Sequence, residues 1–419
     1  MAGYRPRLIE KNISEELEAF GAILIEGPKW CGKTTTASLF AKSIVRMQDP
    51  DERDKYKAIV DTAPSRLLKG DKPRLIDEWQ TAPKLWDAIR LDVDLSGKKG
   101  SYILTGSKTI ESEEIEHSGT GRIDMMTMST MTLFESGDST GEVSLIGMFR
   151  GSIVDGGSDK SLEDVAGLLI RGGWPESIGM SSRTAHLMMK RYCNSILETE
   201  INDEGGKHRD PNRMKMVLRS ISRNISAPLS KQTIIRDISS GNAGMSENTL
   251  NDYLESLRRI HVLEELPSWN PNLRSKAAIR TSPTVQLCDP AIAAFFLSAD
   301  ENDLIMDPNT FGLLFESLVI RDLRVYARYH GGEVFHYRDS NNLEVDAIIH
   351  LDDGRWGAVE VKLAHTWVDE AAKNLLKLRK KVDTDVMNEP SFLAVVIPTG
   401  YAYTRDDGVH VVPITCLRE

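Results

Sequence analysis

Short apolar runs alternate with amphipathic stretches along the first third of the chain. The run Ala22–Glu26 is almost entirely aliphatic, which is typical of a buried strand, and Arg74–Ile76 and Tyr102–Leu104 form similar shorter runs. The residues Lys33–Val45 and Pro83–Val93 have the pattern of helices. Strands that alternate with helices predict βαβ units, so we expect an α/β fold with a parallel sheet in this part of the chain.

The pattern changes in the middle of the chain. Residues 151–161 are rich in Gly, Ser and Asp, which is typical of a linker. Helices are predicted beyond it, including Lys231–Ser239 and Ser246–Ile260, and β-like segments follow around Val262–Leu266 and Ala278–Arg280. A helix, a turn, a second helix and a β-ribbon form the outline of a winged helix.

A second α/β pattern occupies the last quarter of the chain. We find no internal repeat and no low-complexity tract that would suggest another architecture. In chain order the predicted elements are a helix over Phe311–Tyr329, strands near Glu333–Tyr337, Glu344–His350 and Trp356–Lys362, a helix over Asp369–Lys381 and a strand over Phe392–Ile397.

A glycine-rich turn connects the first predicted strand to the first predicted helix. Residues 27–34 fit the pattern G-x-x-x-x-G-K-[ST] at every fixed position. Because a strand enters and a helix leaves, backbone N–H groups and the helix N-terminus are predicted to surround phosphate oxygens. Lys33 would reach the β- and γ-phosphates of ATP, and Thr34 would bind Mg²⁺. The predicted nucleotide-binding residues are Gly27, Pro28, Lys29, Trp30, Cys31, Gly32, Lys33, Thr34 and Thr35.

Polar residues end the second and third predicted strands. Asp77 and Glu78 follow the second strand, where one carboxylate suits Mg²⁺ and the other can orient or deprotonate an attacking water. Thr105 and Ser107 end the third strand at the same edge of the sheet and could contact the γ-phosphate or the water. The alternative for Thr105 and Ser107 is an ordinary turn after a strand.

Together these motifs resemble the AAA-type branch of the P-loop ATPases, in particular a prokaryotic family with a C-terminal domain of poorly defined function. The resemblance rests on residues 27–34, Leu75–Gln80, Ile103–Ser107 and the pair Gly121-Arg122. It implies a Walker B pair at Asp77 and Glu78 and a sensor 1 residue at Thr105 or Ser107. It also implies that Arg122 could be an arginine finger that acts across a subunit boundary, which would require a homo-oligomer such as a ring. The alternative for Arg122 is a surface ion pair, and the acidic insert Glu111–Glu116 leaves the position of its loop open.

Charge is unevenly distributed along the chain. The whole chain has a net charge of −10, which argues against a global attraction to nucleic acid. Lys207–Arg280 nevertheless contains thirteen basic and seven acidic residues, a net charge of +6, as expected of a region that binds duplex DNA. Glu247, Asp252 and Glu255 lie on the predicted recognition helix and would face phosphates poorly, so backbone contacts would come from flanking residues such as those in Arg274–Arg280. The alternative is a winged helix used only for packing or assembly.

Acidic residues and a lysine recur in the C-terminal strands. Glu360 and Lys362 are two residues apart on a predicted strand and project from one face, and Asp346 lies on the preceding strand. Such a set suits a Mg²⁺ site with an adjacent ammonium, and Glu316 could add a further carboxylate. The arrangement resembles the PD-(D/E)XK nuclease core, which implies either an active nuclease or a degenerate site that no longer cuts.

Three functions follow from these patterns. The first is a Mg²⁺-dependent ATPase that couples ATP hydrolysis to nucleic-acid binding or processing. The second is a nucleotide-gated DNA-binding adaptor with a non-cutting nuclease-like domain, and the third is a remodeller of protein partners. The four separated cysteines, the absence of a signal peptide and the absence of an apolar run of about 18 residues predict a cytoplasmic chain that does not enter a membrane.

The predicted organisation has four segments. In chain order they are an AAA-type ATPase domain over 1–155, a helical segment over 156–205, a winged-helix-like domain over 206–285 and a PD-(D/E)XK nuclease-like domain over 286–419.

Overall fold

The chain forms two compact units. The computed structural model describes residues 3–109, 117–200, 209–239, 244–271, 283–384 and 387–419. Unit 1 comprises Met1–Thr130 with Leu257–Val262, and unit 2 comprises Met131–Ser256 with Leu263–Glu419. None of the helices in these described ranges is both long enough and apolar enough to span a membrane.

Unit 1 is built around a five-stranded sheet. In chain order its elements are α1 (Ile9–Ala19), β1 (Ala22–Glu26), α2 (Lys33–Phe40), β2 (Ser43–Arg46), α3 (Arg53–Thr62), β3 (Arg74–Asp77), α4 (Lys84–Ser96), β4 (Tyr102–Gly106) and β5 (Ile123–Thr127). The strand order is β2-β3-β4-β1-β5, and every neighbouring pair is parallel. The predicted α/β class with a parallel sheet in this part of the chain is confirmed.

Apolar side chains fill both faces of this sheet, because successive residues of a strand point to opposite sides. One face packs on α4, and the other packs on α1 and α2. Each of these buried aliphatic side chains contributes about 1.5–3 kcal/mol relative to an exposed position. The residues toward α4 include Leu24, Ile76 and Leu104, and those toward α1 and α2 include Ile23, Leu75 and Ile103.

The sheet has two strands that the sequence pattern did not predict, β2 and β5. The helix predicted over Lys33–Val45 ends at Phe40, and β2 pairs with β3 so that Ile44 lies opposite Leu75. The apolar residues Ile44 and Val45 fit both the continuation of a helical pattern and a short strand, and periodicity cannot distinguish the two. Pairing with β3 decides the outcome, because β-branched side chains pack well on a pleated surface.

Unit 2 contains a helical region and a second sheet. In chain order its elements are α5 (Leu133–Ser136), β6 (Val143–Ser144), α6 (Leu145–Phe149), β7 (Gly156–Ser158), α7 (Leu162–Arg171), α8 (Ser182–Ser195), α9 (Pro211–Arg223), α10 (Lys231–Ser239), α11 (Glu247–Arg259), β8 (Leu263–Leu266), β9 (Thr284–Leu287), α12 (Pro290–Leu297), α13 (Glu301–Met306), α14 (Pro308–Tyr329), β10 (Gly332–Arg338), β11 (Glu344–Leu351), β12 (Trp356–Val361), α15 (Val368–Lys381), β13 (Phe392–Ile397), β14 (Gly400–Thr404), β15 (His410–Pro413) and β16 (Leu417–Arg418), and the last residues of α11 belong to unit 1.

The second sheet has seven strands in the order β10-β11-β12-β13-β15-β14-β7. Strands β12, β13 and β15 are mutually parallel neighbours, whereas β10–β11, β11–β12, β14–β15 and β14–β7 are antiparallel. The helices and strands predicted between Phe311 and Ile397 are confirmed to within a few residues. Strand β7 lies inside the predicted linker. The sequence pattern does not predict this strand, because Gly156 and Gly157 carry no apolar signal and pair through their backbones.

The helical region contains the two helices predicted over Lys231–Ser239 and Ser246–Ile260, with the second beginning at Glu247 and ending at Arg259. Helices α10 and α11 are followed by the antiparallel pair β8–β9. Of the turn predicted between these helices over 240–244, residues 240–243 lie outside the described residues, as does the β-like segment Ala278–Arg280. So do the basic residues Lys207, Arg274, Lys276 and Arg280 and the acidic insert Glu111–Glu116.

A buried ionic network connects three helices of unit 2. The Arg321 guanidinium lies 2.9 Å from Asp289 Oδ2 and 2.7 Å from Asp322 Oδ1. The Gly173 N–H donates to Asp289, and the Leu133 N–H donates to Asp322. Burial raises the pKa of Asp322 to about 6. One cation therefore holds two fully buried carboxylates, Asp289 at the start of α12 and Asp322 in α14, and Asp322 also accepts from the start of α5.

Candidate functional site

The turn between β1 and α2 has the geometry of a phosphate-binding loop. Gly27 and Gly32 have φ values of +151° and +105°, which favour glycine, and Gly32 is the residue before α2. A Cβ on Gly27 would lie 2.1 Å from the Met128 carbonyl oxygen, so only glycine fits beside the end of β5. Cys31 is buried, and its Sγ donates to that same carbonyl over 3.5 Å. Packing against β5 therefore fixes the loop at its start and in its middle.

Lys33 lies across this loop. Its side chain is buried, and its Nζ donates to the carbonyl oxygens of Gly27 and Pro28 at 2.8 Å each. The ammonium is thus held inside the loop, at the N-terminus of α2, where positive charge favours an anion. Trp30, also in the loop, is 44% exposed, and Thr35 is exposed on the first turn of α2.

Asp77 is the centre of a polar cluster at the carboxyl edge of the sheet. Its Oδ1 accepts a hydrogen bond from Thr34 Oγ1 at 2.6 Å and one from Thr105 Oγ1 at 2.7 Å. The parallel register brings these residues together, because Asp77 lies opposite Thr105 and the loop follows the adjacent β1. Hydroxyl and carboxylate oxygens are the ligands that Mg²⁺ prefers, and one or two protein ligands suffice when phosphate oxygens complete the shell. Thr34 and Asp77 therefore fit a Mg²⁺ site.

Glu78 lies beside this cluster in an unusual backbone conformation. Its φ of +57° and ψ of +46° are left-handed, and a single 3-10 turn over Trp79–Thr81 follows. Its Oε2 accepts hydrogen bonds from Gln80 Nε2 at 2.5 Å and from the buried Ser107 Oγ at 3.2 Å. The predicted residues Glu78, Thr105 and Ser107 are thus brought together with Asp77, and Gln80 joins them.

A second polar contact lies at the end of β1. Glu26 Oε2 accepts from Thr109 Oγ1 at 3.2 Å and lies 4.0 Å from His261 Nε2. The Thr109 N–H also donates to the Arg259 carbonyl oxygen at 2.9 Å. Burial raises the pKa of Glu26, although Thr109 and the nearby Lys33 act in the opposite direction. Nothing in the sequence near Glu26 predicts this contact, because its partner is more than two hundred residues away.

Arg122 lies at the other end of the sheet. It immediately precedes β5, and the Ala22 N–H at the start of β1 donates to its carbonyl oxygen. Its Nε lies 2.5 Å from Asp94 Oδ1 on α4, and its side chain is 48% exposed. Within one chain, Arg122 is therefore remote from the phosphate-binding loop, which lies at the opposite ends of the strands.

The four C-terminal residues of the predicted site also come together. Lys362 Nζ lies 2.6 Å from Glu360 Oε2 and 3.5 Å from Asp346 Oδ2, and the Val361 N–H donates to the same Asp346 oxygen at 2.7 Å. Burial and, secondarily, the charge of Asp346 raise the pKa of Glu360 to about 8. The pKa of Glu316 on α14 is raised well above its ordinary value, first by burial and then by Asp346.

This cluster concentrates carboxylates around a single ammonium. Across the described ranges, no three acidic, histidine or cysteine side chains form a ready-made metal cage. Asp346 and Glu360 nevertheless supply two carboxylates beside Lys362, and Mg²⁺ commonly uses only one or two protein carboxylates with water and substrate oxygens. The donor set therefore fits a hydrated Mg²⁺ held by Asp346 and Glu360.

In the structure, part of the positive charge in residues 207–280 is neutralised by ion pairs, and part is exposed on α9. Several charges of this segment are paired, including Arg209 with Asp252 at 3.0 Å and Lys231 with Glu247 at 3.9 Å. The exposed basic residues of α9 occur at intervals of four, which places them on one face of the helix. They are Lys215, Arg219 and Arg223, and Arg223 also lies 3.9 Å from Asp237 Oδ2.

Comparisons with known proteins agree with the geometry of unit 1. Residues 19–136 match a family model described as an AAA domain, which includes the phosphate-binding loop, Asp77 and Glu78. Residues 162–303 match a domain of unknown function, DUF8612, and residues 311–417 match another, DUF4143. No curated protein sequence matches the chain. The N-terminal part of the chain therefore has the fold of an AAA-type P-loop ATPase domain.

Similar solved structures include three proteins of archaea. The Walker-type ATPase PABY2304 of Pyrococcus abyssi has 14% identity and a TM-score of 0.42, and the match covers 70% of this chain and 96% of that chain. The ORC1 protein of Aeropyrum pernix, solved in complex with DNA, has 13% identity and a TM-score of 0.24 over 72% and 92% of the two chains. The signal transduction ATPase PH0952 of Pyrococcus horikoshii, which has a tetratricopeptide repeat sensor, has 13% identity and a TM-score of 0.23 over 78% and 50%. Identities and TM-scores this low carry no inference about function.

Proposed function

We propose that the chain is a Mg²⁺-dependent ATP hydrolase whose reaction takes place at the carboxyl edge of the sheet of unit 1. The observation that carries the proposal is the convergence of the Thr34 and Thr105 hydroxyls on Asp77, which directly precedes Glu78 and lies next to the loop that holds Lys33. The loop amides, Lys33 and the N-terminus of α2 would bind the β- and γ-phosphates. Thr34 and Asp77 would hold Mg²⁺, which neutralises charge on the phosphate oxygens when bound.

Glu78 is the residue that would act on the water. Its carboxylate follows β3 directly and is restrained by Ser107, so it can orient a water toward the γ-phosphate and accept its proton. Thr105 donates to Asp77 and would keep that carboxylate aligned. A positioned base of this kind typically accelerates a reaction by about 10²- to 10⁴-fold.

Lys33→Ala tests the nucleotide site. We expect the variant to lose both equilibrium binding of ATP and release of phosphate. The reason is that Lys33, the only buried lysine among the described residues, supplies the ammonium of the loop. Lys55→Ala is the matched control, because Lys55 is 65% exposed and pairs with Glu52 on the surface of unit 1. Turnover that is equal in the wild type and Lys33→Ala would contradict the assignment of this site.

We further propose that ATP turnover is coupled to the binding or processing of nucleic acid. The support is the basic face of α9 together with the cluster of Asp346, Glu360 and Lys362. The face of α9 would contact phosphates without reading bases, so binding should weaken steeply with salt. The alternatives are a nucleotide-gated DNA-binding adaptor that does not cut and a remodeller of protein partners.

Two measurements distinguish these possibilities. Nicking of a plasmid with Mg²⁺ or Mn²⁺, lost in Asp346→Asn and in Lys362→Ala, would support processing, whereas salt-sensitive binding without nicking would favour the adaptor. Charge reversal at Lys215 and Arg219 should abolish duplex binding, while reversal of the exposed Lys373 on α15 serves as the control. An absence of binding to DNA and RNA at low salt would favour the remodeller.

Arg122 would act as an arginine finger only in an oligomer. Because it lies at the end of the sheet away from the loop, it would act on the nucleotide of a neighbouring subunit in a ring or other homo-oligomer. Light scattering with and without ATP tests the assembly. Mixing Arg122→Ala with Glu78→Gln tests the finger, because mixed oligomers should regain part of the turnover that each variant lacks alone.

A further inference from the structure

The turn after β3 places Gln80 against Glu78. The left-handed conformation of Glu78 is one that residues other than glycine rarely adopt, and such conformations persist when neighbouring contacts determine them. Here the turn reverses the chain so that Gln80 lies beside the side chain of Glu78, two residues earlier. Ser107, which follows β4, approaches the same group from the adjacent strand.

The two donors bind the same carboxylate oxygen. Gln80 Nε2 donates to Glu78 Oε2 at 2.5 Å, Ser107 Oγ donates to it at 3.2 Å, and Gln80 Nε2 is also 3.4 Å from Ser107 Oγ. Hydrogen bonds to a charged carboxylate are stronger than those between neutral groups. Because both donors bind Oε2, the Oε1 of Glu78 is the oxygen that can accept a hydrogen bond from a water.

The surroundings of the Gln80 amide fix its orientation. Its Oε1 is buried and has no hydrogen-bond donor among the described residues, and the opposite orientation would place this oxygen against the Glu78 carboxylate. A Cβ on Gly106 would lie 3.1 Å from Gln80 Oε1 and 3.1 Å from Trp79 Nε1. The absence of a side chain at Gly106 therefore lets the amide pack closely against the end of β4.

We propose that Gln80 is a positioning residue that holds the Glu78 carboxylate so that its Oε1 faces the attacking water. This inference rests on the proposed ATPase function and adds a residue to it. Gln80 contacts Glu78 and Ser107, and in this proposal it acts only through Glu78. Its removal should therefore lower kcat and leave the KM for ATP unchanged.

The test is a set of steady-state ATPase measurements on Gln80→Ala, Gln80→Glu and the double variant Glu78→Gln/Gln80→Ala. Loss of one charge-assisted hydrogen bond should lower kcat by about 10- to 100-fold in Gln80→Ala. Gln80→Glu keeps the volume of the side chain but places a second carboxylate against Glu78, so its kcat should be lower still. In the Glu78→Gln background, Gln80→Ala should have no further effect, because the two residues act as one unit.

The controls separate this inference from the ATPase function itself. Gln232→Ala, an exposed glutamine on α10, should behave as the wild type. Turnover that depends on Lys33 but is unchanged in Gln80→Ala would overturn the role of Gln80 alone. The same conclusion would follow if Gln80→Ala lowered kcat by the same factor in the wild type and in the Glu78→Gln background. A wild-type chain with no turnover that depends on Lys33 would overturn both proposals.

Discussion

Replacing Asp77 separates its role in stability from its role in the reaction. Its Oδ1 is the shared acceptor for Thr34 and Thr105, and Thr105 is 1% exposed. In Asp77→Ala the buried Thr105 hydroxyl loses its acceptor, which costs about 1–3 kcal/mol, while the more accessible Thr34 hydroxyl can bond to water at a cost of about 1 kcal/mol. We therefore expect the free energy of unfolding of unit 1 to fall by about 2–4 kcal/mol.

Asp77→Asn should have a different effect. The amide keeps an oxygen at the position of the carboxylate, so both hydroxyls retain an acceptor and the free energy of unfolding should change by less than about 1 kcal/mol. The negative charge that would hold Mg²⁺ is lost, and ATP turnover should fall at least about 100-fold. Only the reaction, and not the fold, should thus respond to this substitution.

The stability assay must report on unit 1 alone, because a chain of two units need not unfold in one step. A urea titration monitored by hydrogen exchange of peptides from β3 and β4 meets this condition. Asp61→Ala is the control, since Asp61 forms an exposed pair with Lys84 that should contribute no more than about 1 kcal/mol. Wild-type turnover in Asp77→Asn, or wild-type stability in Asp77→Ala, would refute this account of Asp77.

Three further substitutions test other parts of the structure. Arg321→Met should destabilise unit 2 by about 3–5 kcal/mol in urea unfolding, because it leaves two fully buried carboxylates without their cation. Gly27→Ala should abolish ATP binding in a titration, since its Cβ would meet the Met128 carbonyl oxygen, whereas Gly312→Ala, with open space around it, should bind normally. Glu26→Gln should gain stability relative to the wild type as pH rises above about 4, because a carboxyl with a raised pKa loses its contribution to stability as pH rises through that pKa. Stability differences that do not depend on pH would contradict this interpretation of Glu26.

The sequence predicts the chemistry of unit 1 because that chemistry is local. The phosphate-binding loop requires residues at fixed spacing between a strand and a helix, and Asp77 and Glu78 end a recognisable apolar run. Parallel strands then bring their carboxyl ends to one edge without further information. For this reason Thr34, Asp77 and Thr105 are predicted to meet and do so.

The missed features depend on contacts between distant residues or on backbone geometry. Gln80 is two residues from Glu78, yet its contact needs the left-handed turn at Glu78, for which a glutamate gives no signal. The contact of Glu26 with His261 joins residues far apart in the chain. Strands β2 and β5 are decided by pairing with β3 and β1, and the basic face of α9 depends on which of its charges stay exposed in the fold.

The central claim is that the chain hydrolyses ATP at the edge of the sheet through Glu78. A single-turnover measurement of phosphate release, with enzyme in excess over ATP and Mg²⁺ present, tests it most directly, because it isolates chemistry from product release. Glu78→Gln is expected to bind ATP with the affinity of the wild type and to release phosphate about 10²- to 10⁴-fold more slowly. Equal single-turnover rates in the wild type and Glu78→Gln would contradict it.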